Sequence, residues 1–238
     1  MALDAYIAQT RSLLNDVGGV EYTTPDLTIY INDARVQIAG ASESIRQIGL
    51  LALTANVQAY NFNLFTGLMA GVQGVLAVRK ASVRTPAEWT EIFDVEWERF
   101  WSFHLSGPVS LSTGTPDTYS QLQPGIGGLI YFSPTPLTGF NTRADIVGYP
   151  INLAVDADPE ALPYPWTEAV QYYAAYLALL NAQRYADADS MLQRYDLFQT
   201  RATQMTTPTT LPGQYPGQGG AAVAGEARPI TAQRGGPG

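Results

Sequence analysis

Apolar residues recur at two different periods along the 238-residue chain, and the switch between them divides it. In residues 2–16, Leu3, Tyr6, Ile7, Leu13 and Leu14 fall near helical spacing and the pattern stops at Gly18 and Gly19, which predicts a first helix. The stretch "TTPDLTIYINDARVQIAG" predicts a second. Thr24 serves as N-cap, Pro25 stands at the first helical position, and Asp26 places a carboxylate against the positive end of the macrodipole. Leu27, Tyr30, Ile31, Ala34, Ile38 and Ala41 then repeat at three and four and form one apolar stripe.

Over residues 47–62 the period shortens. Apolar runs flank Thr54, Ala55 and Asn56, which reads as strand, turn, strand, and the run 72–83 is expected in the same sheet. "TPAEWTEIFDVEWERFWSF" returns to helical signals: Thr85 as N-cap, Pro86 at the first helical position, Glu88 completing a capping box, and Trp89, Ile92, Phe93, Phe100 and Trp101 along the helix. Six prolines and several glycines across 106–157 exclude a long helix there. "GGLIYFSPTP" and "ADIVGYPINLAV" are expected to pair as a hairpin.

The clearest periodicity comes after Pro165. Ala169, Val170, Tyr173, Ala174, Leu177 and Leu180 make one helical face; Tyr185, Ala188, Leu192, Tyr195 and Phe198 or Gln199 make another, with a short connection near Gln183 to Tyr185. Two such helices form an antiparallel hairpin and pack with the N-terminal pair. The expected fold is therefore α+β, mainly α: a helical bundle from 1–46 plus 159–205, with a β-rich and helical insertion at 47–158 and an extended C-terminal tail at 206–238. No internal repeat interrupts this plan. The tail, rich in glycine and proline and without apolar periodicity, buries too little to offset the roughly 1–2 kcal/mol per residue that backbone ordering costs.

Composition narrows the function. With 46% hydrophobic residues the chain supports a sizeable core, and a net charge of −8 with a single lysine, Lys80, argues against a protein that grips nucleic acid by neutralising phosphates. Having no cysteine, it has no disulfide, thiolate metal site or cysteine nucleophile. Its N-terminus carries no basic signal-peptide start and no run reaches the ~20 apolar residues of a membrane span, so a soluble product of the cytoplasm without membrane attachment is expected.

Candidate chemistry is sparse. Asp94, Glu96 and Glu98, with Glu88 and Glu91, gather beside tryptophans as a glycan hydrolase would need, but acids adjacent on one helix form a solvated face more readily than a pair held across a cleft. His104, the only histidine, is read as a packed residue rather than a base. "DADPE" (156–160) and "ADADS" (186–190) lack the spacing of a calcium loop and suit capping roles. "PGIGG" (124–128) has no following Lys-Ser/Thr and precedes a strand, so it reads as a turn rather than a phosphate cradle. No catalytic, cofactor-binding or metal-ligating residue is assigned and no cofactor is expected. The surplus tyrosines, Tyr172, Tyr176, Tyr185 and Tyr195, suit lateral contacts between subunits.

In layout, through "TTPDLTIYINDARVQIA", "GLIYFSPTP" with "ADIVGYPINL", and above all "LPYPWTEAVQYYAAYLALLNAQRYADADSMLQRYDLF", most of residues 1–205 resembles the head-to-tail connector (adaptor) proteins of tailed bacteriophages. That resemblance implies a structural, non-enzymatic virion protein of the neck: a ring, typically dodecameric, bound below the portal, with a tail or nozzle protein beneath it and the double-stranded genome passing through its lumen without sequence-specific binding. It also implies a C-terminus extended onto the portal, for which Leu211, Tyr215 and Ile230 would be apolar anchors and Arg228 and Arg234 charged contacts. The alternatives are a tail-tube or tail-completion protein and, in a different class, a cell-wall glycan hydrolase.

Overall fold

In the computed structural model, residues 2–105 and 112–206 are described. Two helices lead: α1 (Leu3–Leu14) and α2 (Thr24–Ser42). The loop between them is organised by one carboxylate, since Asp16 accepts from the backbone N–H groups of Val20, Glu21 and Tyr22 at 2.8, 3.1 and 2.8 Å. These bonds hold its carboxyl below the usual aspartate range. The cap of α2 is Thr23, one residue before the expected Thr24; its hydroxyl accepts from the Asp26 N–H and Pro25 follows inside the first turn. Ala41, placed on the apolar stripe by spacing, is exposed, and Arg35 and Ala39 complete the buried face instead.

Strands follow: β1 (Arg46–Leu53), β2 (Ala59–Asn61), β3 (Val72–Arg84), β4 (Trp89–Asp94), β5 (Thr113–Gly114), β6 (Thr118–Leu122), β7 (Leu129–Ser133), β8 (Thr135–Pro136) and β9 (Phe140–Pro150). A one-turn helix, α3 (Trp97–Phe100), and a wider turn at Trp101–Leu105 separate β4 from β5, and the chain ends in α4 (Thr167–Asn181) and α5 (Tyr185–Thr206). Seven strands form one mixed sheet in the order β1-β9-β3-β4-β6-β7-β2, while β5 and β8 pair apart from it.

The mainly-α expectation is overturned. The sheet curls into a half-barrel with its own core, in which Leu51, Leu53, Phe62, Val78, Val83, Ile130, Phe132 and Ile146 are buried, and it stands as an equal partner to the helices rather than a small lobe. Two pairing expectations fail with it. The strands containing 129–133 and 144–150 are not a hairpin: β7 lies between β6 and β2, and β9 between β1 and β3. Strands β1 and β2, which flank the expected turn, sit at opposite edges of the sheet. Because only a short connection separates them in sequence, the edges have to come near one another, and the Tyr60 hydroxyl on β2 is within 2.7 Å of the Thr54 N–H just past β1.

Curling is built into the long β3–β9 pair, whose register shifts at three places between Val72 and Lys80. Extra residues at such irregularities bend and twist a strand. Gly74 permits a close approach here, for a Cβ at that position would lie 2.8 Å from the Tyr149 ring. Strand β4 leaves β3 after Ile92 and joins β6 at Phe93. The gap it leaves is spanned by the Gln121 side chain, which accepts from the Val78 N–H and donates to the Val78 carbonyl, both at 2.8 Å.

The helix expected from Thr85 is overturned over residues 85–94, and helical backbone begins only at Trp97. Residues 85–88 form the turn between β3 and β4, in which the Thr85 hydroxyl accepts from the Glu88 N–H at 3.1 Å and the Thr85 N–H donates to the Glu88 carbonyl at 2.9 Å. A hydroxyl bonding three residues ahead serves a tight turn as well as a helix cap. In the strand that follows only Ile92 is buried.

A second core joins α1, α2, α4 and α5. Helix α4 buries Ala169, Ala174, Ala175 and Ala178, whose small side chains let the neighbouring helices approach closely. Inside this layer Arg35 is fully buried. Its guanidinium donates to Glu160 at 2.8 and 3.1 Å, to the Ile151 carbonyl at 2.6 Å and to Asn32 Oδ1 at 3.2 Å. Glu160 in turn accepts from the Tyr6 hydroxyl and the Leu162 N–H, both at 2.9 Å. Burial, and then the Glu160 charge, push the Tyr6 hydroxyl far above its ordinary pKa, so it stays a donor.

Two outcomes follow. Glu160→Ala strands the buried guanidinium and is expected to cost about 3–5 kcal/mol in urea denaturation. Asp16→Asn tests the loop: because the folded pKa of Asp16 is depressed, its contribution is complete above the ordinary aspartate value of about 3.9 and disappears as pH falls through the lower folded value. The stability gap between wild type and Asp16→Asn should be constant near neutrality and close on acidification.

Candidate functional site

The acids once grouped on one helix are dispersed. Glu88 lies in the turn, Glu91 projects from β4 with Lys80 3.8 Å away, and Asp94, Glu96 and Glu98 are exposed where β4 runs into α3. Desolvation raises the carboxyl of Asp94 above its ordinary value. Trp97, Glu98 and Trp101 line a shallow hollow with a single carboxylate at its wall. The aromatic residues of this segment are used in packing: Trp97 lies 4.9 Å from the Tyr131 ring on β7, Phe100 is buried beneath, and the His104 ring sits tilted 4.9 Å from that of Phe100.

His104 Nδ1 is 2.8 Å from the Ser133 hydroxyl, and Ser133 is buried. Among the described residues no carboxylate bonds the imidazole, so the pair lacks the orienting acid of a catalytic triad. It satisfies a buried hydroxyl at the end of β7.

Four of the five acids in the two candidate calcium segments are occupied by protein groups. Asp156 accepts from the Asp4 N–H at 2.9 Å and so caps α1 from a distant loop; Asp158 accepts from the N–H groups of Ala154 and Val155; Glu160 holds Arg35; Asp187 pairs with Arg184 at 2.7 Å. No group of three acids or histidines among the described residues is placed to hold a metal ion. Within "PGIGG", the Gly125 N–H donates to the Leu76 carbonyl and the Gly128 N–H to the Gly125 carbonyl, as in a turn joining β6 to β7. No described helix is long and apolar enough to cross a membrane.

The four tyrosines separate. Tyr172 stacks on Phe198 at 4.7 Å and Tyr195 is buried against Tyr173 at 4.9 Å, both between α4 and α5. Tyr176 is half-buried, and Tyr185, at the start of α5, is 63% exposed. Leu211, Tyr215, Arg228, Ile230 and Arg234 lie outside the described residues.

One constellation escaped the sequence. On the outer face of the sheet the guanidinium of Arg143 lies 4.6 Å, and that of Arg84 5.7 Å, from the centre of the Trp89 ring. Both arginines are exposed, and neither has a carboxylate within 4 Å among the described residues. Arg84 faces Trp89 across the β3–β4 hairpin, while Arg143 arrives from β9, where it faces Ser82 of β3. No local pattern announces it, because the third member is brought by strand pairing from far along the chain.

His104→Phe leaves the buried Ser133 hydroxyl without its partner and is expected to cost about 1–3 kcal/mol. Glu98→Gln, on an exposed side chain, should stay within about 0.5 kcal/mol. Thermal unfolding of the two variants checks both values.

The family model described as SU10 adaptor protein matches residues 1–220. No curated protein matches the chain.

Proposed function

The chain belongs to the SU10 adaptor protein family and is a structural adaptor of the phage virion, and on that footing we propose that it forms a ring joining the capsid portal to the tail. The observation that carries this reading is the extent of the family match, which spans all of the described residues and runs on to residue 220. In this role the protein is not an enzyme. Consistent with that, the candidate acids are dispersed and His104 is engaged with Ser133.

The ring would sit in the neck as a dodecamer below the portal, with a tail or nozzle protein beneath it. Double-stranded DNA would pass through its lumen without sequence readout. A net charge of −8 supports such passage, since carboxylates repel phosphates within a Debye length of about 8 Å at physiological salt. Tyr172, Tyr176 and Tyr185 would contribute to contacts between subunits; Tyr195 is buried in its own chain and would act by holding α5 against α4. Residues 206–238 would run onto the portal, with Leu211, Tyr215 and Ile230 as apolar anchors and Arg228 and Arg234 as charged contacts. Fully extended at ~3.3 Å per residue, that segment reaches roughly 100 Å, enough to span neighbouring portal subunits.

Capture on the purified portal ring tests the reading, comparing the full chain with one ended at Met205. The full chain should be retained as a defined ring by native mass, and the shortened chain should lose most of its affinity. A full chain that ignores the portal, or stacks on itself into tubes, would defeat the proposal.

A further inference from the structure

We infer that neighbouring copies in the ring meet head to tail through the two ends of β4, the Arg84–Trp89–Arg143 cluster of one copy receiving the acidic corner Asp94–Glu98 of the next. The inference rests on the ring reading above and adds to it which surfaces touch. A ring is closed by heterologous contacts, in which two different patches on each subunit face one another. Such patches have to be complementary and lie apart on the molecule. Strand β4 supplies both.

At its start, Trp89 carries two guanidiniums near its ring. A guanidinium stacked on an aromatic face keeps its N–H fork free for a carboxylate. The other cations of this face are already engaged: Arg46 with Asp145, Arg79 with Glu43, and Lys80 with Glu91. Arg84 and Arg143 are not, although Glu88 lies in the adjoining turn. Beside them Leu50, 48% exposed on β1 and paired in register with Arg143, adds an apolar border.

At the other end of the strand, about 17 Å away at ~3.3 Å per residue, the chain turns into α3. There Asp94, Glu96 and Glu98 are exposed, and none has an arginine or lysine within 4 Å among the described residues. Phe93, 69% exposed, supplies apolar surface beside them. Arg79 acts on Asp94 from a distance and Arg99 follows Glu98 in sequence, yet each end offers charged groups without an ion pair within 4 Å, next to an apolar group and with opposite sign.

The overall charge supports a protein occupant. Copies of a chain carrying −8 repel one another, so close association has to bring free cations against acids. Duplex DNA would need an extended basic surface, whereas the cations around this pair are matched by carboxylates.

Charge reversal at each end tests the pairing, with assembly of the full-length chain followed by native mass at low salt. Arg84→Glu with Arg143→Glu, and separately Glu96→Arg with Glu98→Arg, should each lower the assembled fraction at least ~10-fold, because like charges then face each other. All four positions are exposed, and unchanged circular dichroism confirms folding. An equimolar mixture of the two variants should assemble again, since alternating copies restore opposite charges at every contact. Wild-type assembly should weaken as the Debye length shrinks to about 3 Å in 1 M salt. Assembly of either variant at the wild-type level, failure of the mixture where wild type assembles, or a wild type that stays monomeric would overturn the pairing. So would duplex DNA binding that the arginine variant loses while it still assembles. Capture on the portal judges the adaptor reading separately: a chain retained there as a ring by both variants keeps that reading and loses this one.

Discussion

A guanidinium without water has to be surrounded by acceptors, and Arg35 draws its acceptors from separate parts of the chain. Asn32 lies on its own helix, Ile151 just past the last strand, and Glu160 on the segment that leads into α4. Tyr6 of α1 closes the cage by donating to Glu160. Asn32 extends it, exchanging hydrogen bonds with both backbone groups of Leu153 at 2.8 and 3.0 Å. The place where the chain leaves the sheet and returns to the helices is therefore fixed by the cost of leaving one cation unpaired. Everything that depends on how the sheet sits against the helices inherits that constraint.

What was legible in the sequence follows from how local each signal is. The helices α1, α2, α4 and α5 were readable because their apolar residues repeat at three and four within one segment. Small errors at α2, where Thr23 rather than Thr24 caps, arose because either hydroxyl could have reached the first turn. The stretch 85–94 differs from its helical expectation for a physical reason: Thr85 bonding to residue 88 satisfies a turn as well as a cap, and Trp89, Ile92 and Phe93 happen to share helical spacing. Strands were recognised more often than their partners. Period-two alternation marks a strand, but nothing in "GLIYFSPTP" states that it pairs with β6 and β2 rather than with the strand that follows.

The sites follow the same division. The acids of "DADPE" were legible as capping groups, though not that Asp156 would cap a helix more than a hundred residues away or that Glu160 would neutralise a buried arginine. His104 was legible as a packed residue, and its partner Ser133 was not. The arginines around Trp89 were invisible because their meeting is a consequence of the β3–β9 register. Membership of the adaptor family was carried by layout, the order of elements and the composition of the last two helices, rather than by any catalytic signature.

Strand β3 and the chain that leaves β9 reach both cores: Val72 and, three residues past the end of β9, Leu153 lie among the helices, while Val78, Val83, Ala144 and Ile146 lie inside the curled sheet. The two layers are thus joined by paired lengths of covalent backbone, lying antiparallel and hydrogen-bonded along most of their run. Because Val72 lies opposite Pro150, both strands meet the helices at the same end, and a force pulling the helices away from the far end of the sheet would run along the two backbones side by side rather than act across the hydrogen bonds between them. Covalent backbone, rather than side-chain packing alone, therefore ties one core to the other along that axis.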